Sequence, residues 1–238
     1  RQFYASIIVA PVIVLIQFII LKKDYLFYLG KKESAKLLKF SIPLIPAGIA
    51  YIILELTDRF FISHYFSFDE VGIYGMGAKF SSVLYLVITG FSMALSPIVY
   101  EQHAQDHTKG KLNKLIRYYF LAGTVSILLL GLFSFETLYI FTNEKWFEAR
   151  LVMPLLYGAV FFSGLGMFSV GIHLSGKTYL SSFIVIISAS LNVVLNIILI
   201  PKYNILGAGI STLISMWFNA VVFYYVSSKY YFFCSPKK

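Results

Sequence analysis

The sequence predicts an all-α, polytopic transmembrane helix bundle, and three observations carry this prediction. Hydrophobic residues make up 58% of the 238 residues and charged residues only 13%, whereas a soluble domain carries about 25% charged residues. Seven apolar runs are each long enough to cross the hydrocarbon core of a bilayer, about 30 Å thick, as a helix. None of these runs alternates apolar and polar residues, as a membrane-spanning β-strand would.

The seven predicted helices follow one another along the whole chain. The second and third are longer than a bare span needs, so we expect them to tilt, bend or project beyond the bilayer. Four prolines inside these runs are expected to kink the helices that hold them. They are Pro43, Pro46, Pro97 and Pro154. The runs are Phe3–Leu21, Leu38–Tyr65, Val71–Tyr100, Tyr118–Phe141, Leu151–Leu174, Tyr179–Ile200 and Ile205–Val226.

Charges outside the apolar runs predict the orientation of the helices. Thirteen lysines and arginines fall on one side of the predicted membrane and five on the other. Because cytoplasmic loops carry the excess of Lys and Arg, this bias places the C-terminus in the cytoplasm. The thirteen are Lys22, Lys23, Lys31, Lys32, Lys36, Lys109, Lys111, Lys114, Arg117, Lys177, Lys229, Lys237 and Lys238.

The basic segment Lys22–Lys36 divides the chain, with one predicted helix before it and six after it. Transporters are commonly built from two helical repeats, with the substrate site between or within them. We therefore expect residues 1–21 to be the last helix of an N-terminal lobe and residues 22–36 a cytoplasmic linker. Residues 37–227 would form a six-helix C-terminal lobe and residues 228–238 a cytoplasmic tail.

The first apolar run is also open to interpretation as a signal peptide. It is long for that role, lacks a small-residue cleavage site and begins almost at once after Arg1. A fragment of a longer protein, whose N-terminal half precedes Arg1, explains the same features. Cys234 is the single cysteine, which excludes a disulfide within the chain.

Four ionisable residues interrupt the second and third apolar runs and form the candidate functional site. Glu55, Asp58 and Arg59 are three or four residues apart, which predicts that they share one flank of the second helix. Counting from the start of that run places Glu55 about 26 Å along the helix, near its outer end. Lys79 follows in the third run. Ionisable groups at this depth are costly, so they indicate a functional site by default.

Two interpretations of this cluster stay open. In the first, the two cations bind an anionic group of a substrate, and the two carboxylates couple to an ion or balance the cations. In the second, Glu55 and Arg59 form an internal ion pair that joins helices near the membrane surface. Tyr51, Tyr74 and Tyr85 lie near the same stretch and are candidates to stack against a sugar.

Other polar patterns have simpler explanations. Asn192, Asn196 and Asn219 lie inside apolar runs, where amides usually form hydrogen bonds between helices. The His103-x-x-x-His107 pattern lacks the glutamate of a zinc helix, so no metal is expected. Neither Gly75–Lys79 nor the Gly207-x-Gly209 pattern has the spacing of a nucleotide-binding loop. No cofactor and no nucleic acid partner is expected.

Four stretches of the sequence resemble the multidrug, oligosaccharidyl-lipid and polysaccharide exporter superfamily, in its O-antigen and polysaccharide flippase branch. The first three follow one another in the order seen at the seventh and eighth helices of that family. The fourth resembles the junction between its eleventh and twelfth helices. The stretches are LKFSIPLIPAGI (38–49), TDRFFI (57–62), EVGIYGMGAKF (70–80) and NIILIPKYNILGAGISTLIS (196–215).

The resemblance implies a transporter of the bacterial inner membrane rather than an enzyme. Flippases of this branch move an undecaprenyl-diphosphate-linked oligosaccharide between leaflets by alternating access, for the synthesis of O-antigen, lipopolysaccharide or other polysaccharides. The resemblance implies Arg59 and Lys79 as candidates for substrate binding, and Glu55 and Asp58 as candidates for ion coupling or pairing. Tyr51 and Tyr74 join the candidates for substrate binding because they lie near the same stretch. The implied partners are the lipid-linked oligosaccharide, the bilayer and a missing N-terminal lobe.

Two other functions compete with this one. The same superfamily contains cation-coupled multidrug exporters and lipid II exporters. A polytopic enzyme is the alternative from another class, but a polysaccharide polymerase would be expected to have a large external loop. A membrane acyltransferase would need an embedded histidine with a polar neighbour, whereas His64 and His173 lie near the ends of runs.

Overall fold

The computed structural model describes residues 2–21, 30–42, 44–102, 106–168 and 171–229. Within these ranges the regular structure is helical, without a strand, which confirms the predicted all-α, polytopic class. The chain divides into one compact unit of residues 1–39 and a second of residues 40–238. Most of the predicted linker and tail, residues 22–29 and 230–238, lies outside the described residues, as does His103.

Eleven helical segments occur in the described ranges. Four are long and apolar enough to cross a membrane, or five if the bent pair Glu144–Leu151 and Met153–Phe168 is counted as one span. The α-helices are α1 Gln2–Leu21, α2 Lys31–Ser41, α3 Leu44–Tyr65, α4 Phe68–Gln102, α5 Asp106–Leu132, α6 Ser134–Phe141, α7 Met153–Gly164, α8 Gly171–Leu174 and α9 Thr178–Ser228; the 3-10 helices are Glu144–Leu151 and Leu165–Phe168.

Two predicted helices are broken in the structure. The run Tyr118–Phe141 turns at Phe133, where the Ser134 hydroxyl donates a hydrogen bond to the Gly131 carbonyl and so competes with the backbone hydrogen bonds of the helix. The run Leu151–Leu174 starts at a bend of 54° between the first 3-10 helix and α7, and the second 3-10 helix, Leu165–Phe168, interrupts it. Pro154 lies in the first turn of α7, where a missing N–H costs nothing. It therefore begins a helix instead of kinking one.

Helix α9 is also interrupted, although it runs for 51 residues. Asn204 has φ 52° and ψ −133°, which is not a helical conformation and is uncommon for a residue with a side chain. We call residues 178–203 the first arm of α9 and residues 205–228 its second arm. These arms correspond to the predicted sixth and seventh helices, Tyr179–Ile200 and Ile205–Val226.

The two arms approach each other closely at Gly207, three residues after the break. A Cβ atom at this position would overlap the Leu199 carbonyl oxygen and lie 2.8 Å from the backbone nitrogen of Ile200. Backbone atoms cannot move aside as a flexible side chain can. The junction therefore requires glycine at position 207.

We expect Gly207→Ala to destabilise the protein by about 1–3 kcal/mol, the range of overpacking substitutions. Thermal unfolding of the purified full-length protein in detergent would measure the loss. Gly48→Ala is the matched control, because a Cβ at Gly48 meets no atom within 4 Å. Equal melting temperatures for the two variants would contradict the close approach.

Helix α3 lies in the second unit and contacts both arms of α9. Its buried side chains recur every three or four residues, as expected for one face of a helix. Ile62 belongs to one apolar cluster with Tyr157 and Met153, and Leu54 belongs to a second with Val185. The residue between them on this buried face is Asp58, so the packing of α3 places a carboxylate inside the helix bundle.

Candidate functional site

The structure separates the three ionisable residues of α3 that were predicted to share one flank. Asp58 lies on the buried face and is only 3% exposed. Glu55 and Arg59 are exposed. Adjacent helical residues point about 100° apart, so Arg59 leaves the buried face that its neighbour Asp58 occupies. The predicted cluster therefore divides into the buried carboxylate of Asp58 and the exposed side chains of Glu55 and Arg59.

Three side chains donate hydrogen bonds to the Asp58 carboxylate, each from a different part of the fold. The Tyr74 hydroxyl from α4 and the Thr212 hydroxyl from the second arm donate to Oδ2, at 2.5 and 2.6 Å. The Asn196 amide from the first arm donates to Oδ1 at 2.8 Å and to Asn192 Oδ1 at 3.1 Å. Asn196 thus joins helices, as predicted for the buried amides.

Two further polar atoms beside Asp58 are buried without a hydrogen-bond partner in the described part of the chain. They are Asn192 Nδ2 and Asn196 Oδ1, and both residues are fully buried. Buried polar groups are normally satisfied, so these two atoms are exceptions among the described residues. Together with the carboxylate and the two hydroxyls, the two amides form one buried polar cluster.

A cavity of about 700 Å³ lies among α3, α4, α7 and the second arm of α9, and the hydrogen-bonded cluster of Asp58, Tyr74 and Thr212 forms part of its wall. Its walls carry hydroxyl groups of Ser82 and Ser163 and the half-exposed rings of Tyr51 and Tyr85. All six residues predicted as site residues contribute to the wall. They are Tyr51, Glu55, Asp58, Arg59, Tyr74 and Lys79.

The two cations of this cavity lack an ion pair. Among the described residues, neither Arg59 nor Lys79 has a carboxylate oxygen within 4.0 Å, whereas Lys145 pairs with Asp69 at 2.8 Å. The alternative Glu55–Arg59 ion pair is therefore not formed. Both cations are exposed, so they remain available to an anion in the cavity.

Tyr74 differs from the expectation that it stacks against a ligand. Its ring is only 3% exposed, and its hydroxyl is bound to Asp58. It is therefore a partner of the carboxylate rather than an open aromatic surface. Tyr51, at 48% exposure, keeps a ring that a ligand can reach.

Thr212 belongs to the Asp58 cluster and was not singled out from the sequence. The spacing of polar residues does not point to it, because the series of Ser211, Ser215 and Asn219, which recurs every four residues in the last apolar run, leaves Thr212 out. Such spacing places polar groups on one face of a helix, and all three are buried. Polar residues of the first arm, including Asn192 and Asn196, form a similar series.

No group of three or more His, Cys, Asp and Glu side chains comes together in the described part of the chain. The buried Asp58 cluster contains one carboxylate, two amides and two hydroxyls. Divalent transition metals prefer imidazole and thiolate ligands, and these side chains do not supply them.

Comparison with known proteins identifies relatives among membrane proteins. A probable multidrug resistance protein, NorM, of Photorhabdus laumondii is 28% identical over 219 residues, which cover 84% of this chain and 47% of the relative. An uncharacterized membrane protein of Methanocaldococcus jannaschii is 24% identical over 184 residues, covering 75% and 42%. One from Haemophilus influenzae is 32% identical over 124 residues, covering 52% and 28%.

The chain spans less than half of the length of each of these relatives. No solved structure matches it significantly. The family description MatE matches residues 43–198, which is more than half of the chain and includes α3, α4, α7 and most of the first arm of α9. This confirms the superfamily that the sequence resembles, while the flippase branch stays a prediction. The chain is a multi-pass membrane protein and belongs to the MatE family.

Proposed function

We propose that the chain is the C-terminal lobe of a transporter that flips an undecaprenyl-diphosphate-linked oligosaccharide across the bacterial inner membrane. Residues 1–21 would be the last helix of the N-terminal lobe, residues 22–36 the linker, residues 37–227 the lobe and residues 228–238 a cytoplasmic tail. The relatives support a longer protein, since each is more than twice as long as the part that this chain matches. The lipid-linked oligosaccharide that it moves would be used in polysaccharide or O-antigen synthesis.

The observation that carries this proposal is the pair of unpaired cations in the cavity. Arg59 and Lys79 come from two different helices and line one space. A diphosphate offers several charged oxygens, and hydrogen bonds between ionised partners are about twice as strong as neutral ones. Arg can bind such a group through two parallel hydrogen bonds, and Lys79 adds a second positive charge from α4.

Asp58 is the proposed coupling group. It is almost fully buried in the wall of the cavity and is held by donors from α4 and both arms of α9. A change in its charge therefore acts on three helices at once. Binding or release of a proton or a small cation would bias how these helices pack, which is what alternating access requires. Glu55, exposed in the cavity, is the candidate for receiving the ion from water.

The charge bias outside the apolar runs supports the proposed orientation, with the C-terminus and the Lys22–Lys36 segment in the cytoplasm. In that orientation Arg59 and Lys79 lie toward the outer leaflet. A substrate headgroup would therefore meet the two cations during its passage to the outer face.

Export of drugs coupled to a cation is the second candidate function. The relative NorM, named as a probable multidrug resistance protein, favours it, because its match covers 84% of this chain. The two functions predict different ligands. In a drug exporter that binds lipophilic cations, the negative charge of Glu55 would attract the drug. The neighbouring positive charges of Arg59 and Lys79 would repel it.

Deletion of the gene separates the two functions. We expect lipid-linked oligosaccharide to accumulate in the cytoplasmic leaflet and surface polysaccharide to be lost, with unchanged resistance to drugs. A membrane-impermeant lectin applied to right-side-out and to inverted vesicles would locate the accumulated sugar. Normal surface polysaccharide together with new drug sensitivity would replace the flippase by the drug exporter.

A further inference from the structure

A second cavity, of about 370 Å³, shares Tyr51 and Ser163 with the first one. The size lies within the range of small-molecule sites, about 300–1,000 Å³. It extends from Tyr51 toward the start of α3, the 3-10 helix Leu165–Phe168 and the two arms of α9. Its wall consists of Leu44, Ala47, Gly48, Tyr51, Ser163, Gly166, Ser181, Asn219 and Phe223.

The chemistry of this second cavity differs from that of the first. None of the described residues that line it is charged, whereas the first holds Glu55, Arg59 and Lys79. It combines hydroxyl groups and an amide with apolar and aromatic surface. This combination suits a ligand that is polar but uncharged, with faces that carry C–H groups.

Asn219 is held in a fixed position in the wall. Its Nδ2 donates a hydrogen bond to Ser188 Oγ at 3.1 Å, and the fully buried Ser188 donates in turn to the Ile184 carbonyl at 2.9 Å. The Asn219 residue is only 8% exposed. Since the amide nitrogen is committed to Ser188, the amide oxygen is the group that can accept a hydrogen bond from a ligand in the cavity.

We infer that the second cavity is a binding site for the uncharged sugar part of the substrate, next to the cations that bind its anionic group. This inference rests on the proposed function. Sugar hydroxyls donate to an amide oxygen, and the C–H face of a sugar ring packs on an aromatic ring such as Tyr51. Because Tyr51 belongs to both cavities, one molecule can fill both, with the sugar next to the tyrosine.

Gly166 lies in the wall of the second cavity, so a large side chain at this position can fill the cavity. A Cβ at Gly166 meets no atom within 4 Å, so Gly166→Trp should place its ring in the open space of the cavity without backbone overlap. Gly90→Trp is the matched control, since Gly90 is equally open and lines neither cavity. Asn219→Leu is a second variant, which removes the amide and leaves the Ser188 hydrogen bond to Ile184 in place.

The test compares two lipids on the purified full-length protein in detergent. The probes are the lipid-linked oligosaccharide extracted from the deletion strain and undecaprenyl diphosphate without sugar, with dissociation constants measured by thermophoresis. We expect Gly166→Trp to weaken binding of the sugar-bearing lipid about tenfold and Asn219→Leu about fivefold, as for one lost hydrogen bond. Binding of the sugar-free lipid should stay at the wild-type value, and Gly90→Trp should change neither.

The outcomes distinguish this inference from the proposed function. If Gly166→Trp and Asn219→Leu bind both lipids like the wild type while Arg59→Ala weakens both, the sugar site is refuted and the flippase stands. Equal loss of both lipids in Gly166→Trp also refutes a sugar site. If the wild-type protein binds neither lipid, the proposed function itself fails and the sugar site fails with it.

Discussion

Asp58→Asn is expected to reduce coupled transport strongly while the protein stays folded. Asparagine has nearly the same shape as aspartate and keeps one oxygen to accept a hydrogen bond from Asn196. The Tyr74 and Thr212 hydroxyls now donate to Asp58, but a hydroxyl can also accept, so they can turn toward the new amide. The substitution therefore removes the charge and leaves the packing of α3 against α9 almost unchanged.

The expected loss of transport is about 5- to 150-fold, the range of a coupling free energy between two sites. Asp58→Leu gives a different result, because it removes the acceptor of the buried Tyr74 hydroxyl and of one Asn196 N–H, whereas Thr212 also donates to the Ala208 carbonyl. Each buried donor without a partner costs about 1–3 kcal/mol, so this variant should unfold at a clearly lower temperature. Transport in proteoliposomes and thermal unfolding of the full-length protein would separate the two effects.

Asp69→Asn is the control for Asp58→Asn, since it removes a carboxylate that is exposed and paired with Lys145 at the surface. Exposed ion pairs contribute about 0–1 kcal/mol, so stability and transport should stay near the wild type. Transport by Asp58→Asn at the wild-type rate, under an imposed proton or sodium gradient, would show that Asp58 has only a structural role. The gradient that drives the wild-type protein would identify the ion.

The helical class could be predicted from the sequence because apolar runs of this length have one stable form in lipid. The ends of the helices could not be predicted from the sequence. A run of apolar residues does not show that Ser134 turns back onto Gly131, or that Pro154 begins a helix. These breaks depend on single hydrogen bonds and backbone angles. By contrast, the break at Asn204 fell between two predicted runs because Pro201, Lys202 and Tyr203 interrupt the apolar pattern.

The candidate site, like the helices, could be predicted only in part from the sequence. Charge in an apolar run identified Asp58 and Arg59, but the spacing did not show that Asp58 is buried among hydrogen-bond partners while Arg59 is exposed. That difference follows from the packing of Leu54 and Ile62, which fixes the rotation of α3. Two of the three partners of Asp58 lie 138 and 154 residues away in the chain, so their meeting depends on the tertiary fold.

Joint replacement of Arg59 and Lys79 by alanine is expected to abolish substrate binding and export. One hydrogen bond to a charged group contributes about 1.5–3 kcal/mol, which corresponds to about 10- to 100-fold in affinity for each cation. Each single variant should therefore weaken binding of undecaprenyl diphosphate, and the double variant should weaken it further. Arg59→Lys and Lys79→Arg keep the charge and should keep most of the affinity.

Stability decides between binding and a structural role for these two cations. Both side chains are exposed, and neither forms an ion pair with a carboxylate of the described chain, so their removal should leave the melting temperature within a few degrees of the wild type. Lys145→Ala is the control, because it removes an exposed lysine outside the cavity. Normal export by the double variant would show that the cations do not bind substrate. Loss of export together with a large fall in melting temperature would show that the two cations hold the helices together. The reason is that removing charges from an anion site that is open to the cavity should leave the protein folded.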